Sequence, residues 1–286
     1  MPCLTQFGTL ILIHQYCDIG VWTRMVIKYS KRMTFVDDRA DKFLTRVAHL
    51  GGYCTVEQAL AMGLANSASH AQTQLSGLER AGFLRRAADY PVVFQVTKSV
   101  IRLIGTDMSA RRPHVVETVR WRLAAASFYL DAQTWPADFL FEHSDKIAAF
   151  GNIGCARQLL PQRGGKPYLW DEFVLQVRDG SLSVVMVDRP HWTALLQLLG
   201  FVERFAPCRS RAGDRLALTV AVTSDTRLRR YQKASRNPRV VEQSKGAADL
   251  VSLYQVSTPV PHIRSLIHEP HTHESVIHTN SDSRRP

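Results

Sequence analysis

Three acidic residues in the second half of the chain stand where a metal-dependent hydrolase would need them. Asp171 and Glu172 directly precede an apolar run, 173–177, and Asp188 directly follows another, 183–187. Both runs have the composition of strands, and the Arg-Asp-Gly sequence between them is typical of a hairpin turn. Carboxylates at the ends of such a hairpin could hold a divalent cation beside a phosphodiester.

The residue two positions after Asp188 argues against that chemistry. It is Pro190, whereas the nuclease pattern of acid, any residue and lysine needs a cation there. Hydrolysis requires both a carboxylate cage and a group that stabilises the attacking hydroxide or the developing charge. We therefore expect no catalytic residues and no metal ion, with a metal-dependent nuclease using Asp171 and Asp188 as the alternative. Asp188 is then a strand-end residue that helps to start a helix at Pro190.

No other catalytic or cofactor motif stands out. The chain has no Gly-x-Ser-x-Gly nucleophile elbow, and the basic stretch 163–166 lacks the spacing of a phosphate-binding loop. We expect no cofactor and no enzymatic activity.

A helix in the first half has the residue types for reading DNA. The stretch from Ser67 to Ala81 repeats apolar residues at helical spacing, which predicts a helix with one buried face. The opposite face carries short polar groups and ends in a cation, so it is compact enough to enter a major groove and can exchange hydrogen bonds there. Its residues are Ser69, Gln72, Thr73, Ser76 and Arg80.

The elements around this helix follow in a compact order. A first helix is predicted from Asp37 to Leu50, and Thr55 with Gln58 forms a capping-box pattern for a short second one. After the third helix, two strands joined by a turn at 88–91 predict a hairpin, and Thr97 can cap a further helix. The order predicts a winged helix-turn-helix domain over 33–110. Its wing would place Arg85 and Arg86 against phosphate or the minor groove.

The stretch from Gly51 to Thr55, and above all the run Leu75-Ser-Gly-Leu-Glu-Arg-Ala-Gly-Phe-Leu-Arg-Arg86, resembles bacterial winged helices. Together with the second half, the chain resembles the replication-relaxation family of plasmid and integrative-element proteins. That resemblance implies a winged helix joined to an α/β domain. It also implies a role in plasmid or element replication, transfer or its transcriptional regulation, with relaxase or replication proteins as partners.

The sequence as a whole predicts an α+β fold. In the second half, it predicts a linker helix over 111–134 and an α/β domain over 135–239. The linker helix has one long apolar stripe. This stripe either packs the two domains together or forms the interface of a homodimer. Strand, hairpin, helix and strand follow, and this order resembles a degenerate restriction-endonuclease-like fold, which is expected to be non-catalytic.

Charge adds weak support for a nucleic-acid partner. Lys and Arg number 36 against 25 Asp and Glu, a formal charge of +11 that attracts polyanions. A basic cluster in the second half suggests an auxiliary phosphate-contacting surface. Its members are Arg204, Arg209, Arg211, Arg215, Arg227, Arg229, Arg230, Lys233 and Arg236.

These observations predict a sequence-specific protein that binds double-stranded DNA. The alternatives are the nuclease and a protein-interaction adaptor.

The two ends and the cysteines complete the sequence expectations. Residues 1–32 and 240–286 are poor in core-forming residues, so we expect a disordered leader, with Met33 as an alternative start, and a disordered tail. The 5 cysteines are odd in number and include no Cys-x-x-Cys pair, which argues against a disulfide framework and for the cytoplasm. No segment has the pattern of a membrane span.

Overall fold

The computed structural model describes residues 36–104, 114–243, 251–260, 263 and 265–267, and the predicted leader lies outside this part of the chain. The fold is mixed α+β, as predicted. Residues 36–104 form helices around a small sheet. Their elements are α1 (Asp38–His49), β1 (Tyr53–Thr55), α2 (Val56–Ala61), α3 (Ala68–Arg80), β2 (Leu84–Asp89), β3 (Val92–Val96) and α4 (Lys98–Ile104).

Side-chain caps determine where the first three helices begin. The Asp37 carboxylate accepts a hydrogen bond from the Ala40 backbone N–H, and Ser67 caps α3 in the same way. Thr55 and Gln58 form the reciprocal capping box that the sequence predicts. Each cap satisfies backbone N–H groups that the first helical turn leaves without a partner. These three helix starts are therefore confirmed.

The hairpin differs in detail from its prediction. The three strands form one antiparallel sheet in the order β1-β3-β2, and β2 extends to Asp89. The turn is thus limited to Tyr90 and Pro91, which are joined by a cis peptide bond. The Thr97 hydroxyl donates to the Gly82 carbonyl oxygen at 2.8 Å instead of capping α4, so it ties the end of the hairpin to the end of α3.

The linker helix, α5 (Val116–Ala132), packs against both halves of the molecule. Leu123 packs with Tyr53 of β1, whereas Phe128 packs with strands of the second sheet. The Gln58 side chain donates to the Leu123 carbonyl oxygen at 2.9 Å, and the Arg122 guanidinium donates to the Gly51 carbonyl oxygen at 2.6 Å. The packing alternative for this helix is therefore confirmed. Its buried stripe is covered by the chain's own domains, and the homodimer stays a prediction.

The rest of the chain is built on a five-stranded sheet. Its strands, in spatial order, are β10 (Val251–Gln255), β9 (Leu216–Val222), β8 (Leu182–Val187), β7 (Phe173–Val177) and β4 (Ala137–Leu140). Strands β4, β7 and β8 are antiparallel neighbours, whereas β8, β9 and β10 run parallel. Helix α7 packs its apolar face on this sheet and forms the main core with it. The elements are β4 (Ala137–Leu140), α6 (His143–Asn152), β5 (Gln162–Arg163), β6 (Lys166–Pro167), β7 (Phe173–Val177), β8 (Leu182–Val187), α7 (Ala194–Ala212), β9 (Leu216–Val222), α8 (Asp225–Ser235), α9 (Pro238–Gln243) and β10 (Val251–Gln255).

The helix predicted to open at Pro190 begins later. Thr193 is the N-cap residue, and α7 starts at Ala194. Asp188 does not help to start it, because the Asp188 carboxylate is engaged by side chains of α7 and α8. Pro190 lies in the loop between β8 and α7.

The tail predicted to be disordered from residue 240 contributes to the fold. Strand β10 pairs in parallel with β9, and Ile263 is fully buried beside Tyr53 and Leu123. Short apolar segments of this kind gain most of their stability from contacts that the tail sequence alone does not reveal. The prediction is also wrong for 240–243, which end α9 with Val240 buried in the core. It is wrong as well for 251–260, 263 and 265–267, and the other residues of the predicted tail lie outside the described part of the chain.

The cysteine prediction also needs correction. Cys155, after α6, and Cys208, in α7, form a disulfide across 53 residues of sequence. Cys54 is buried and free. Within the described residues, no helix is both long and apolar enough to cross a membrane.

Candidate nucleic-acid interface

The predicted DNA-reading face of α3 points outward. Ala71, Leu75 and Leu78 are buried, which turns the opposite side of the helix to solvent. Ser69, Thr73 and Arg80 are exposed, and Gln72 and Ser76 are half-buried. The structure therefore brings these five side chains together on one open surface.

Hydrogen bonds within α3 use only part of that polar capacity. The Thr73 hydroxyl donates to the Ser69 carbonyl oxygen at 3.0 Å, so its lone pairs can still accept. The Arg80 Nε donates to the Ser76 carbonyl oxygen at 3.4 Å, and the two terminal nitrogens of the guanidinium take no part in this hydrogen bond. His70 and Gln74, joined side chain to side chain at 3.2 Å, lie on the same helix and were not anticipated from the sequence.

The two arginines of the hairpin lie on opposite faces of the small sheet. Arg85, Gln95 and Tyr53 occupy one register row across β2, β3 and β1, and the Arg85 Nε donates to Gln95 Oε1 at 2.9 Å. Tyr53 faces α5, so Arg85 shares that inner face. Neighbouring strand residues alternate between faces, so Arg86 is on the other side.

Arg86 lies beside the end of α3. Its guanidinium is 3.4 Å from the Glu79 carboxylate and 3.7 Å from the Asp89 carboxylate, and it covers the Phe94 ring at 5.9 Å. The two arginines, predicted as one pair on the wing, are therefore separated. Only Arg86 is exposed and adjacent to the α3 face.

The basic cluster of the second half also divides. Arg204 forms an ion pair with Glu172, and Arg227 forms one with Asp188. Arg209 bonds to the Leu216 carbonyl oxygen and to Asp214, and Arg215 donates to the Ile153 carbonyl oxygen at 2.9 Å. These four arginines make contacts within the domain, although Arg204 and Arg215 are also exposed. The auxiliary phosphate-contacting surface stays a prediction. The other five members of the cluster are exposed, and they are Arg211, Arg229, Arg230, Lys233 and Arg236.

Asp188 is the centre of a buried polar network. The Arg227 Nε donates to its Oδ2 at 2.7 Å, the Tyr231 hydroxyl donates to Oδ1 at 2.9 Å, and Gln197 Nε2 donates to Oδ1 at 3.1 Å. The hydrogen bonding of Arg227 to Asp188 raises the pKa of Arg227, and burial raises the pKa of Tyr231. The carboxylate is 0% exposed, so its oxygens are committed to the protein itself.

The other two acids face a separate cavity of about 340 Å³. Asp171 pairs with Arg189 at 3.4 Å, and Glu172 pairs with Arg204 at 2.5 Å. Burial raises the pKa of Glu172, and the charge of Arg204 opposes that rise. Asp188 does not line this cavity, so the structure does not join it to Asp171 and Glu172 in one open site. Among the described residues, no three His, Cys, Asp or Glu side chains are grouped so as to hold a metal ion.

A buried lysine beside Glu172 was not foreseen from the sequence. Lys146 of α6 is buried, and its Nζ donates to the carbonyl oxygens of Leu169 and Glu172, both at 3.1 Å. Burial lowers the pKa of Lys146 to about 8, with the Glu172 charge acting in the opposite direction. A buried lysine more than 20 residues away in sequence leaves no local pattern, so sequence reasoning had no signal for it.

Comparison with known proteins gives no relative for this arrangement. No family model, no curated protein and no solved structure matches the chain.

Proposed function

We propose that this protein binds double-stranded DNA with sequence specificity, using residues 36–104 as a winged helix with α3 as its recognition helix. The observation that carries the proposal is the outward face of α3, where five short polar or cationic side chains lie together. A capped helix supported by a buried apolar face can enter a major groove, and an adjacent hairpin can contact the backbone. The net charge of +11 favours association with a polyanion.

The chemistry of the face suits base recognition. An amide such as Gln72 can bond an adenine through two atoms, and a guanidinium such as Arg80 can do the same with a guanine. The hydroxyls of Ser69, Thr73 and Ser76 both donate and accept, and their short side chains allow the backbone of α3 to approach the groove. None of the five carries a negative charge that would repel phosphate.

The first experiment selects a duplex site from a random library and measures binding of Gln72→Ala and Arg80→Ala to that site and to random duplex. Each substitution is expected to cost about 1–3 kcal/mol on the selected site and to reduce discrimination between sites. Arg102→Ala, an exposed arginine on α4, is the matched charge control. Unchanged affinity and discrimination in both test variants would contradict the proposal.

The second experiment separates the two hairpin arginines. Arg86→Ala should weaken binding to all duplexes alike and reduce the slope of log K against log salt by about one unit for one lost phosphate contact. Arg85→Ala should have a smaller effect, because Arg85 lies on the face that carries Tyr53. The complete absence of salt-sensitive DNA binding would favour the adaptor alternative.

We also propose a role in replication, transfer or transcriptional regulation of a mobile element, on the resemblance of 51–86 to winged helices and of the whole chain to replication-relaxation proteins. Relaxase or replication proteins are the expected partners, and two copies of the chain would read a site with two half-sites. Deletion of the gene should change the copy number or the transfer frequency of the element that carries it. Equal values with and without the gene would contradict this role.

For the second domain, we propose a restriction-endonuclease-like scaffold without hydrolytic activity. The support is the sheet order, in which an antiparallel meander of β4, β7 and β8 is followed through α7 by the parallel strand β9. The Asp188 carboxylate forms an ion pair with Arg227, and Asp171 and Glu172 each pair with another arginine. Incubation of purified protein with supercoiled plasmid and Mg²⁺ should leave the plasmid intact. Nicking that both Asp188→Ala and the less disruptive Asp171→Ala abolish would establish the nuclease instead.

A further inference from the structure

The loop from Asp188 to Thr193 is held in place by the buried network around Asp188. The side chain of Gln197 accepts from the Arg189 backbone N–H and donates to the Arg189 carbonyl oxygen, both at 3.0 Å. The Arg227 guanidinium, already paired with Asp188, also donates to the Trp192 carbonyl oxygen at 3.0 Å. Helices α7 and α8 therefore both fix the backbone of this loop.

This fixed loop presents aromatic side chains to solvent. Trp192 is 51% exposed, and His191 beside it is also exposed. The Arg189 guanidinium lies 5.7 Å from the centre of the Trp192 ring and 4.2 Å from that of Trp121. A large aromatic ring that is half in solvent contributes little to the core, and rings of this kind are enriched at binding sites.

A groove of about 540 Å³ runs between the loop and α8. His191 and Trp192 line one side, and Arg230, Lys233 and Asn237 line the other. Arg230 and Lys233 are exposed, and neither forms an ion pair with another residue in the described part of the chain. The groove thus combines an aromatic wall with two cations whose charge is not neutralised there.

We propose that this groove binds single-stranded nucleic acid. An unpaired base stacks on the Trp192 ring, and neighbouring phosphates contact Arg230 and Lys233. Duplex bases are already stacked on one another, so an exposed aromatic ring beside cations favours a single strand. The site belongs to the second domain and does not depend on the duplex-binding function proposed for α3.

The test measures binding of the full chain to dye-labelled oligo-dT, to oligo-U and to an abasic oligonucleotide of equal length. Trp192→Ala should weaken oligo-dT binding roughly tenfold and leave the abasic strand almost unaffected, since only stacking is lost. Trp192→Phe should recover most of the affinity. Arg230→Ala combined with Lys233→Ala should weaken binding to all three strands and reduce its salt dependence. Tighter binding of oligo-dT or of oligo-U identifies DNA or RNA as the natural strand.

Two matched controls decide whether the effect belongs to the groove. Arg229→Ala removes an exposed cation from α8 that does not line the groove, and Tyr90→Ala removes an exposed aromatic ring, 85% in solvent, from the hairpin. Both should bind oligo-dT as the wild type does. The proposal is overturned if Trp192→Ala leaves oligo-dT binding unchanged, or if the controls lose as much. Arg80→Ala should alter duplex binding alone, so failure here and failure of the duplex proposal are distinguishable.

Discussion

The two halves of the molecule use polar residues in opposite ways. Within 36–104, the buried polar side chains are the uncharged Thr55, Gln58 and Gln95, and the arginine that ends α3 is exposed. In the second half, Lys146, Glu172, Asp188 and Arg227 are all buried. The first region therefore buries no charged side chain, whereas the second buries several and uses them to hold its own loops in place.

This difference limits what net charge can say about function. A surplus of 11 positive charges counts Arg227, which is 7% exposed by its side chain, equally with Arg80 on an open helix face. A buried ion pair balances a large desolvation cost against its own attraction, so its clearest contribution here is the geometry it imposes on the Trp192 loop. Surface chemistry must be judged residue by residue.

The largest expected effect is the loss of the buried ion pair. Asp188→Ala leaves the Arg227 guanidinium buried without its carboxylate and should lower the free energy of unfolding by about 3–5 kcal/mol. Urea unfolding monitored by circular dichroism measures the change. Asp171→Ala, which removes a partly exposed partner of Arg189, is the control and should cost about 0–1 kcal/mol. Equal losses in the two variants would contradict the contrast between buried and exposed charge.

The disulfide should give the next largest effect. Cys155 and Cys208 close a loop of 53 residues, so the double substitution to alanine should lower the free energy of unfolding by about 2–4 kcal/mol. A reductant should destabilise the wild type by a similar amount and leave the double variant unchanged. If the reductant affects both proteins equally, the stabilisation does not come from this bond.

Local features of the fold could be predicted from the sequence, whereas pairings across the sheet could not. The caps Asp37, Thr55 and Ser67 act within three residues, and the face of α3 follows from helical periodicity, so both were foreseeable. The Asp188–Arg227 pair joins residues 39 apart, and its formation depends on the order of β8 and β9 in the sheet.

The same limit applies to the position of Arg85 and to the tail. The sequence places Arg85 and Arg86 together, but only the register with Gln95 shows which sheet face each one occupies. Strand β10 is short, and its pairing with β9 supplies its backbone hydrogen bonds. Neither feature is encoded in a local pattern.

Lys146 gives a pH-dependent test of the buried charges. Its pKa is about 8 in the folded protein against 10.5 as the ordinary value, so between these limits the unfolded chain binds more protons. The free energy of unfolding contributed by this residue should therefore rise with pH, by up to about 1.4 kcal/mol per unit. Lys146→Met removes that rise. Urea unfolding from neutral pH to about pH 10 should show the wild type gaining stability relative to the variant, and parallel curves would contradict the assignment.

The smallest effect concerns Arg86, a cation of the first region that is partly neutralised. Arg86 lies 3.4 Å from Glu79, and both side chains are partly exposed, so Glu79→Gln should change stability by less than about 1 kcal/mol. Duplex binding is the sensitive readout, because the released guanidinium can contact phosphate. Affinity for random duplex should rise by a few fold at low salt, and the slope of log K against log salt should steepen by up to about one unit.

Glu57→Gln, which removes an exposed carboxylate from α2, makes the same change in net charge without an Arg86 contact. If both substitutions raised affinity equally, net charge alone would be responsible. A gain specific to Glu79→Gln that disappears when Arg86→Ala is added would place the phosphate contact at Arg86, because the carboxylate then has no guanidinium to release.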